Sequence, residues 1–320
     1  MNKKYICLAF LFVIIAFMAL VGSWFWARYR ESANVRGEYV FAVTRGNMEN
    51  LHHIQIISPN GAEINLYREE EVWKFREANN YFANTDSIAS FLYMVNTSII
   101  YDVGTIEKGT EDKYGLDEQN AVMVKTYDAN GALLDEVIFG KLDGEGKYRF
   151  AGDKKYKKRF YKITSDSGFS DFAQNWIPYP LLNIDRGDVI GLDTAIGKLA
   201  GRELNTFERR YIYWHKILDN LSFIDYMGLS LKTDLRNLPE KIVPHRLDII
   251  MIGGLIYQFD VYYIEDSYWL AITLKTEKIA RKEVFPFVEE NQKYFADWLF
   301  HLNFEQGGLF YGAGKPMENE

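Results

Sequence analysis

One long apolar run and two hydrophobic rhythms organise this chain. The run comes first: across residues 5–26 (YICLAFLFVIIAFMALVGSWFW) no side chain is charged. Beyond it, apolar and polar residues alternate over 52–57, 62–67 and 72–76, the period of half-buried strands, with Pro59-Asn60-Gly61 as a turn. Asn84 or Thr85 then caps a helix whose Ile88, Phe91, Leu92 and Val95 fall at i, i+3, i+4 and i+7, one buried face. The style repeats. Strands over 121–127 and 133–139 are joined by Asp128-Ala129-Asn130-Gly131, a hairpin signal, and 148–151 with 159–163 reads as a second hairpin. A short helix carrying Phe169, Phe172, Ala173 and Trp176 follows, stopped by Pro178 and Pro180. Residues 189–192 and 210–214 read as strands, as do 247–252, 256–264 and 269–274. A long helix is then expected through Phe285, Val288, Phe295, Trp298, Leu299 and Leu302, with Pro286 in its first turn and Gly307-Gly308 ending the fold.

One internal echo bears on architecture. Residues 64–73 align with 260–269, matching Tyr67 with Tyr263, Glu69 with Glu265 and Trp73 with Trp269. Each stretch reads as a hairpin with an acidic turn followed by an amphipathic helix. The expected fold is therefore α+β: a transmembrane helix, then two related units of antiparallel sheet with helices packed on one face. The expected division is a cytoplasmic tip at 1–4, a membrane helix at 5–26, a linker at 27–37, a first unit at 38–195 and a second at 196–320. Trp73 and Trp269 are expected as core anchors.

As a helix the apolar run is about 33 Å long, against a hydrocarbon core of about 30 Å. No charge opposes insertion, and Trp24 and Trp26 sit where an interfacial aromatic belt would lie, ahead of Arg28 and Arg30. A cleaved signal peptide is the alternative, with small residues at Val21-Gly22-Ser23, but the apolar run continues past that point. Lys3 and Lys4 favour a cytoplasmic N-terminus, while Arg28, Arg30 and Arg36 blur the bias. The expectation is a single-pass anchor in the cytoplasmic membrane, N-terminus inside, with the bulk of the chain extracytoplasmic and the lipid bilayer as its first partner.

Composition narrows the function classes. The net charge is −7, and an acidic chain without a long Lys/Arg stripe is a poor nucleic-acid binder. The densest basic stretch, Lys154, Lys155, Lys157, Lys158 and Arg159, reads as a solvated hairpin tip. The only cysteine is Cys7, inside the apolar run, so the remainder has neither a disulfide nor a thiolate. Aromatic residues reach 16%, which fits a β-rich core or an aromatic platform for sugars or peptides.

Catalytic signatures are sparse. His52, His53, His215, His245 and His301 fall in no HExxH or His-x-His spacing. There is no Gly-x-Ser-x-Gly, and Asp166-Ser167-Gly168 reads as a helix cap. The glycines at 140, 144 and 146 and at 312 and 314 lack phosphate-loop spacing. Glu69–Glu71, Glu289-Glu290, Asp260 and Asp266 are the carboxylates to weigh for a glycosidase-like pairing, but the sequence places no two at the required separation and solvated faces explain them better. No cofactor and no catalytic or metal residue is assigned.

From about residue 62 to 192 the chain resembles a bacterial family known as domain of unknown function 4340. The likeness rests on Val72-Trp73-Lys74-Phe75, the helix at 86–95, and the segment Glu111-Asp112-Lys113-Tyr114-Gly115-Leu116-Asp117. The hairpin closing in Val137-Ile138-Phe139-Gly140 and the strand Tyr161-Lys162-Ile163 complete it. Glu118-Gln119-Asn120 stands where the family often has a proline. The resemblance implies one N-terminal membrane helix, no attached enzymatic activity, and an extracytoplasmic accessory role beside ABC transporters of the gliding-motility type. The signature residues Trp73, Tyr114, Gly115, Leu116, Asp117 and Gly140 read as structural, with Gly115 at positive φ to turn the chain. Two rivals stand beside this reading: a binding module for cell-envelope glycan or peptide, and an envelope hydrolase with a carboxylate pair.

Overall fold

The computed structural model describes residues 18, 23, 35–152, 159–164, 169–194, 197–201, 212–237 and 242–313. The expected membrane helix lies outside them, apart from Met18 and Ser23. So do the tip at 1–4, most of the linker, Lys154–Lys158 of the basic stretch, the cap at 166–168 and the tail from Gly314. Among the described residues no helix is long and apolar enough to cross a membrane.

The architecture is α+β, two mostly antiparallel sheets with a few helices. The first part runs α1 (Ala42–Gly46), β1 (Leu51–Ile57), β2 (Glu63–Glu69), β3 (Val72–Phe75), β4 (Tyr81–Phe82), α2 (Thr85–Thr97) and β5 (Ile100–Thr105), then β6 (Val122–Asp128), β7 (Leu133–Leu142), β8 (Tyr148–Gly152) and β9 (Arg159–Thr164). The second runs β10 (Val189–Thr194), β11 (Gly197–Ala200), α3 (Ile212–Leu221), β12 (Tyr226–Leu231), β13 (His245–Met251), β14 (Leu255–Ile264), β15 (Ser267–Thr276), α4 (Val284–Asn291), β16 (Trp298–Leu302) and α5 (Phe304–Ala313). The nine-stranded sheet is ordered β4-β3-β2-β1-β6-β7-β8-β9-β5 and the seven-stranded sheet β11-β10-β13-β14-β15-β16-β12.

In the first sheet, alternation sets one face of each strand into a core. Ile54 pairs with Leu66, and Ile56 with both Ile64 and Val124. Val124 pairs with Val137, and Val122 with Phe139; all of these are buried. Helix α2 buries Ile88, Phe91, Met94 and Val95. Phe41 bridges, its ring 6.1 Å from Phe91 and 6.0 Å from Phe139. In the second sheet Leu247 pairs with Phe259, Val261 with Leu270, and Leu270 with Phe300. Phe310 of α5 meets Phe259 edge-on at 5.7 Å.

Several expectations are corrected. The chain divides between Trp176 and Ile177, and not at 195/196, because β10 pairs with β13 of the second sheet. Residues Phe75–Asn84 also group with the second unit. The helix expected through Phe169, Phe172 and Trp176 is a single 3-10 turn, Ala173–Trp176. Ser170 takes over locally: its hydroxyl accepts from the Phe172 amide and its carbonyl from the Trp176 indole. Buried Trp176 packs 6.4 Å from Phe91, while Phe172 stays exposed. The strand expected at 210–214 is, from Ile212 on, helix α3, whose Trp214, Ile217, Leu218 and Leu221 form one buried face; residues 210 and 211 lie outside the described set.

The long helix expected up to Leu302 stops at Asn291. A 3-10 turn follows, and then β16, in which Trp298, Phe300 and Leu302 alternate inward against β15 and β12. Antiparallel pairing with β15 and β12 supplies the backbone partners of that stretch from Leu299 on and overrides the helical spacing, while the Trp298 amide donates to the Phe295 carbonyl. Nor do Gly307 and Gly308 end the fold. They lie inside α5, where a Cβ on Gly307 would stand 2.3 Å from the Tyr268 Cβ. Asn303 caps α5 by accepting from the Gln306 amide at 2.9 Å.

Candidate functional site

Strand β15 turns Leu270, Ile272 and Leu274 into the second core, so alternation sends Trp269 to the opposite face of the sheet. Trp269 is half-buried there, which corrects its expected role as a core anchor. Its indole stacks on His301 of β16, ring centres 4.8 Å apart and planes 21° from parallel, and the two residues are register partners. Leu299 shares the face of His301, and Ser230 of β12 sits opposite Leu299. Trp269, Leu299 and Ser230, together with Ile264, Ser267, Asp234 and Glu265, line a cleft of about 180 Å³; His301 stands against the indole outside that lining.

Each polar wall has a local cause. The 3-10 turn Lys232–Asn237 places Asp234, whose Oδ2 accepts from the Ser230 hydroxyl at 2.7 Å and the Leu231 amide at 3.2 Å. The carboxylate is thereby fixed. Across the cleft, a two-residue turn joins β14 to β15, with Glu265 at φ 46° and Asp266 at φ 60°. Two left-handed residues match the twist of a tight hairpin. The Tyr263 hydroxyl donates to Asp266 at 3.0 Å, a bond that holds its phenol pKa above the usual value. Glu265 is left to line the cleft. The neighbouring Lys232 ammonium donates to the carbonyls of Phe295 and Ala296, and burial lowers its pKa. The result is an indole flanked by two carboxylates and two hydroxyls.

The family-like residues collect elsewhere, in the first unit, around two glycines. Gly115 has φ +65°, and a Cβ there would stand 2.9 Å from the Lys141 amide nitrogen. A Cβ on Gly140 would stand 2.1 Å from the Tyr114 carbonyl oxygen and 3.1 Å from Leu116 Cδ2. The two backbones cross at van der Waals distance, which only glycine permits. Tyr114 stacks on Phe160 at 4.3 Å and meets Phe150 edge-on at 5.1 Å. Asp117 accepts from the Asn120 side chain at 2.8 Å and the Gln119 amide at 3.0 Å. The Asn120 bond is the main reason its pKa falls below the usual carboxylate range. Trp73 stands apart from this crossing, half-buried on β3. Those contacts of Tyr114 and Asp117 are ring packing and turn hydrogen bonds.

The remaining candidates disperse. His53 lies between Tyr67 and Tyr127, stacked at 4.1 and 4.8 Å. His215 meets Arg186, and His245 bonds the Tyr311 carbonyl. Among the described residues no group of three or more His, Cys, Asp or Glu is placed to hold a metal. Glu69 pairs with Lys74, Glu71 with Arg68 and Asp260 with Arg246, while Glu289 and Glu290 are exposed.

Sequence reasoning missed Ser230, Asp234, Ser267, Leu299 and His301 as a group. Cross-strand register and the 3-10 turn that carries Asp234 join them, and the one legible signal was Trp269 standing out of phase with Leu270 and Ile272. No family model, curated protein or solved structure matches this chain.

Proposed function

We propose that this chain is a membrane-tethered, extracytoplasmic interaction protein without catalytic activity, serving as an accessory of an ABC-type transport complex. The observation that carries this reading is the uncharged run at 5–26, long enough to span a bilayer, ahead of a large α+β body. The resemblance to domain of unknown function 4340 supports the transporter association. On this reading the α+β body consists of two related units, each meeting its partners through sheet faces and loops. Affinity capture of the tagged full-length chain from detergent-solubilised membranes tests it. The expected result is co-purification of permease and ATPase subunits; capture of neither contradicts the transporter association.

A second reading, a binding module for cell-envelope peptide or glycan, is favoured by one observation, the half-buried Trp269 with Asp234 and Glu265 around it. Aromatic faces bordered by carboxylates suit ligands that carry both apolar and polar surface. The two readings are compatible, since a tethered accessory can also bind a segment of its partner.

A further inference from the structure

We infer that the cleft around Trp269 receives the side chain of a lysine presented by an extended peptide segment of a partner protein. The inference rests on reading the chain as an interaction protein and names the chemistry that its second unit would select.

Four features converge. First, Asp234 and Glu265 bring two carboxylates to one small cleft. Among the described residues its lining holds no cationic side chain; His301 stacks on the indole, and the Lys232 ammonium is turned to the Phe295 and Ala296 carbonyls. Such a site attracts a cation and disfavours an anion. Second, the Trp269 indole forms part of the wall, and indole is the strongest aromatic partner for an ammonium group. Third, Ile264 and Leu299 supply apolar walls, which suit the methylene stem that a lysine carries behind its charge. Fourth, the Ser230 hydroxyl and Leu231 amide hold Asp234 in place, so little ordering remains for the moment of binding.

The same features discriminate among cations. An aminolipid headgroup places a phosphate two carbons from its ammonium, and that phosphate would be brought against Asp234 or Glu265. A neutral sugar would cover the indole but leave two carboxylates without a countercharge. A peptide lysine meets neither objection.

The test is calorimetric titration of the full-length chain in detergent micelles. The probes are acetyl-Gly-Lys-Gly-amide, the same peptide with norleucine for lysine, glycerophosphoethanolamine and chitotriose. Saturable binding of the lysine peptide is expected, with the norleucine peptide at least tenfold weaker. The double variant D234N/E265Q should weaken lysine-peptide binding at least tenfold. Both positions are exposed and the amides are isosteric, so folding should persist, and a thermal melt checks this. E289Q/E290Q removes two charges from exposed positions outside the cleft and should leave binding unchanged, which separates the cleft from the overall negative charge. Equal binding of the norleucine peptide, equal loss in E289Q/E290Q, preference for the headgroup or the sugar, or no binding at all would each overturn the inference. Transporter subunits recovered by capture alongside any of those outcomes would leave the accessory role standing and remove only the lysine cleft.

Discussion

Single atoms decide much in the first unit. Where Gly140 passes Tyr114, a methyl group has no space, since the atom it would strike is a backbone carbonyl oxygen 2.1 Å away. Gly140→Ala should therefore destabilise the first unit by about 2–3 kcal/mol, the range of a severe overpacking change. Urea denaturation followed by circular dichroism reads this, and an unchanged midpoint would show that the crossing is loose. Asp248 offers a prediction of opposite sign. It faces Asp193 across the β10–β13 register, with Arg246, Lys275 and Asp260 nearby, and its Oδ1 is buried without a hydrogen-bond partner. Burial is the main cause that raises its pKa, and Lys275 and Arg246 only partly oppose it. A raised carboxyl favours folding fully below the ordinary carboxylate pKa and loses that contribution as pH rises through the raised value. Asp248→Asn should thus raise the urea midpoint at pH 7, with the gain fading by about pH 3. A lower midpoint at pH 7 would mean that the basic neighbours outweigh burial.

At the scale of elements, helix propensity and close packing make opposing forecasts for Gly307. Alanine in a helix interior is worth about 1 kcal/mol over glycine. In α5, however, the added Cβ would fall 2.3 Å from Tyr268 Cβ and lift the helix off β15. Gly307→Ala is expected to destabilise the second unit by about 2 kcal/mol, and any gain in thermal midpoint would refute the close approach. The same contest explains which elements were legible. Strands β1, β2, β6, β7, β13, β14 and β15 declare themselves through period-two alternation closed by turn residues, as in Asp128-Ala129-Asn130-Gly131. In that turn Asp128 accepts from the Asn130 and Ala132 amides. Strand β16 does not declare itself, because Trp298, Leu299, Phe300 and Leu302 satisfy either period, and only the presence of β15 and β12 beside it decides. Helix α3 was obscured in the same way, since the aromatic and β-branched start at Ile212-Tyr213-Trp214 imitates a strand. The turn at Gly115 was legible from the sequence, and the glycine has φ +65°. The cleft was not legible, because its walls come from four strands and two turns spread along the sequence from Ser230 to Leu299.

At the scale of the whole molecule, the two sheets bury much of the apolar and aromatic content of the described residues, while Tyr93, Phe172, Tyr179 and Phe304 stay exposed and Trp269 is half-buried in its cleft. The acidic balance, the absence of cysteine beyond Cys7 and the long uncharged run are properties of the entire chain. Of these, the uncharged run is what carries the proposed setting, a fold tethered to lipid outside the cytoplasm. Extraction of isolated membranes with alkaline carbonate asks about that setting most directly, because it releases peripheral proteins and leaves spanning segments in the bilayer. The full-length chain should stay with the sedimented membrane; its quantitative appearance in the supernatant, intact, would contradict the tether.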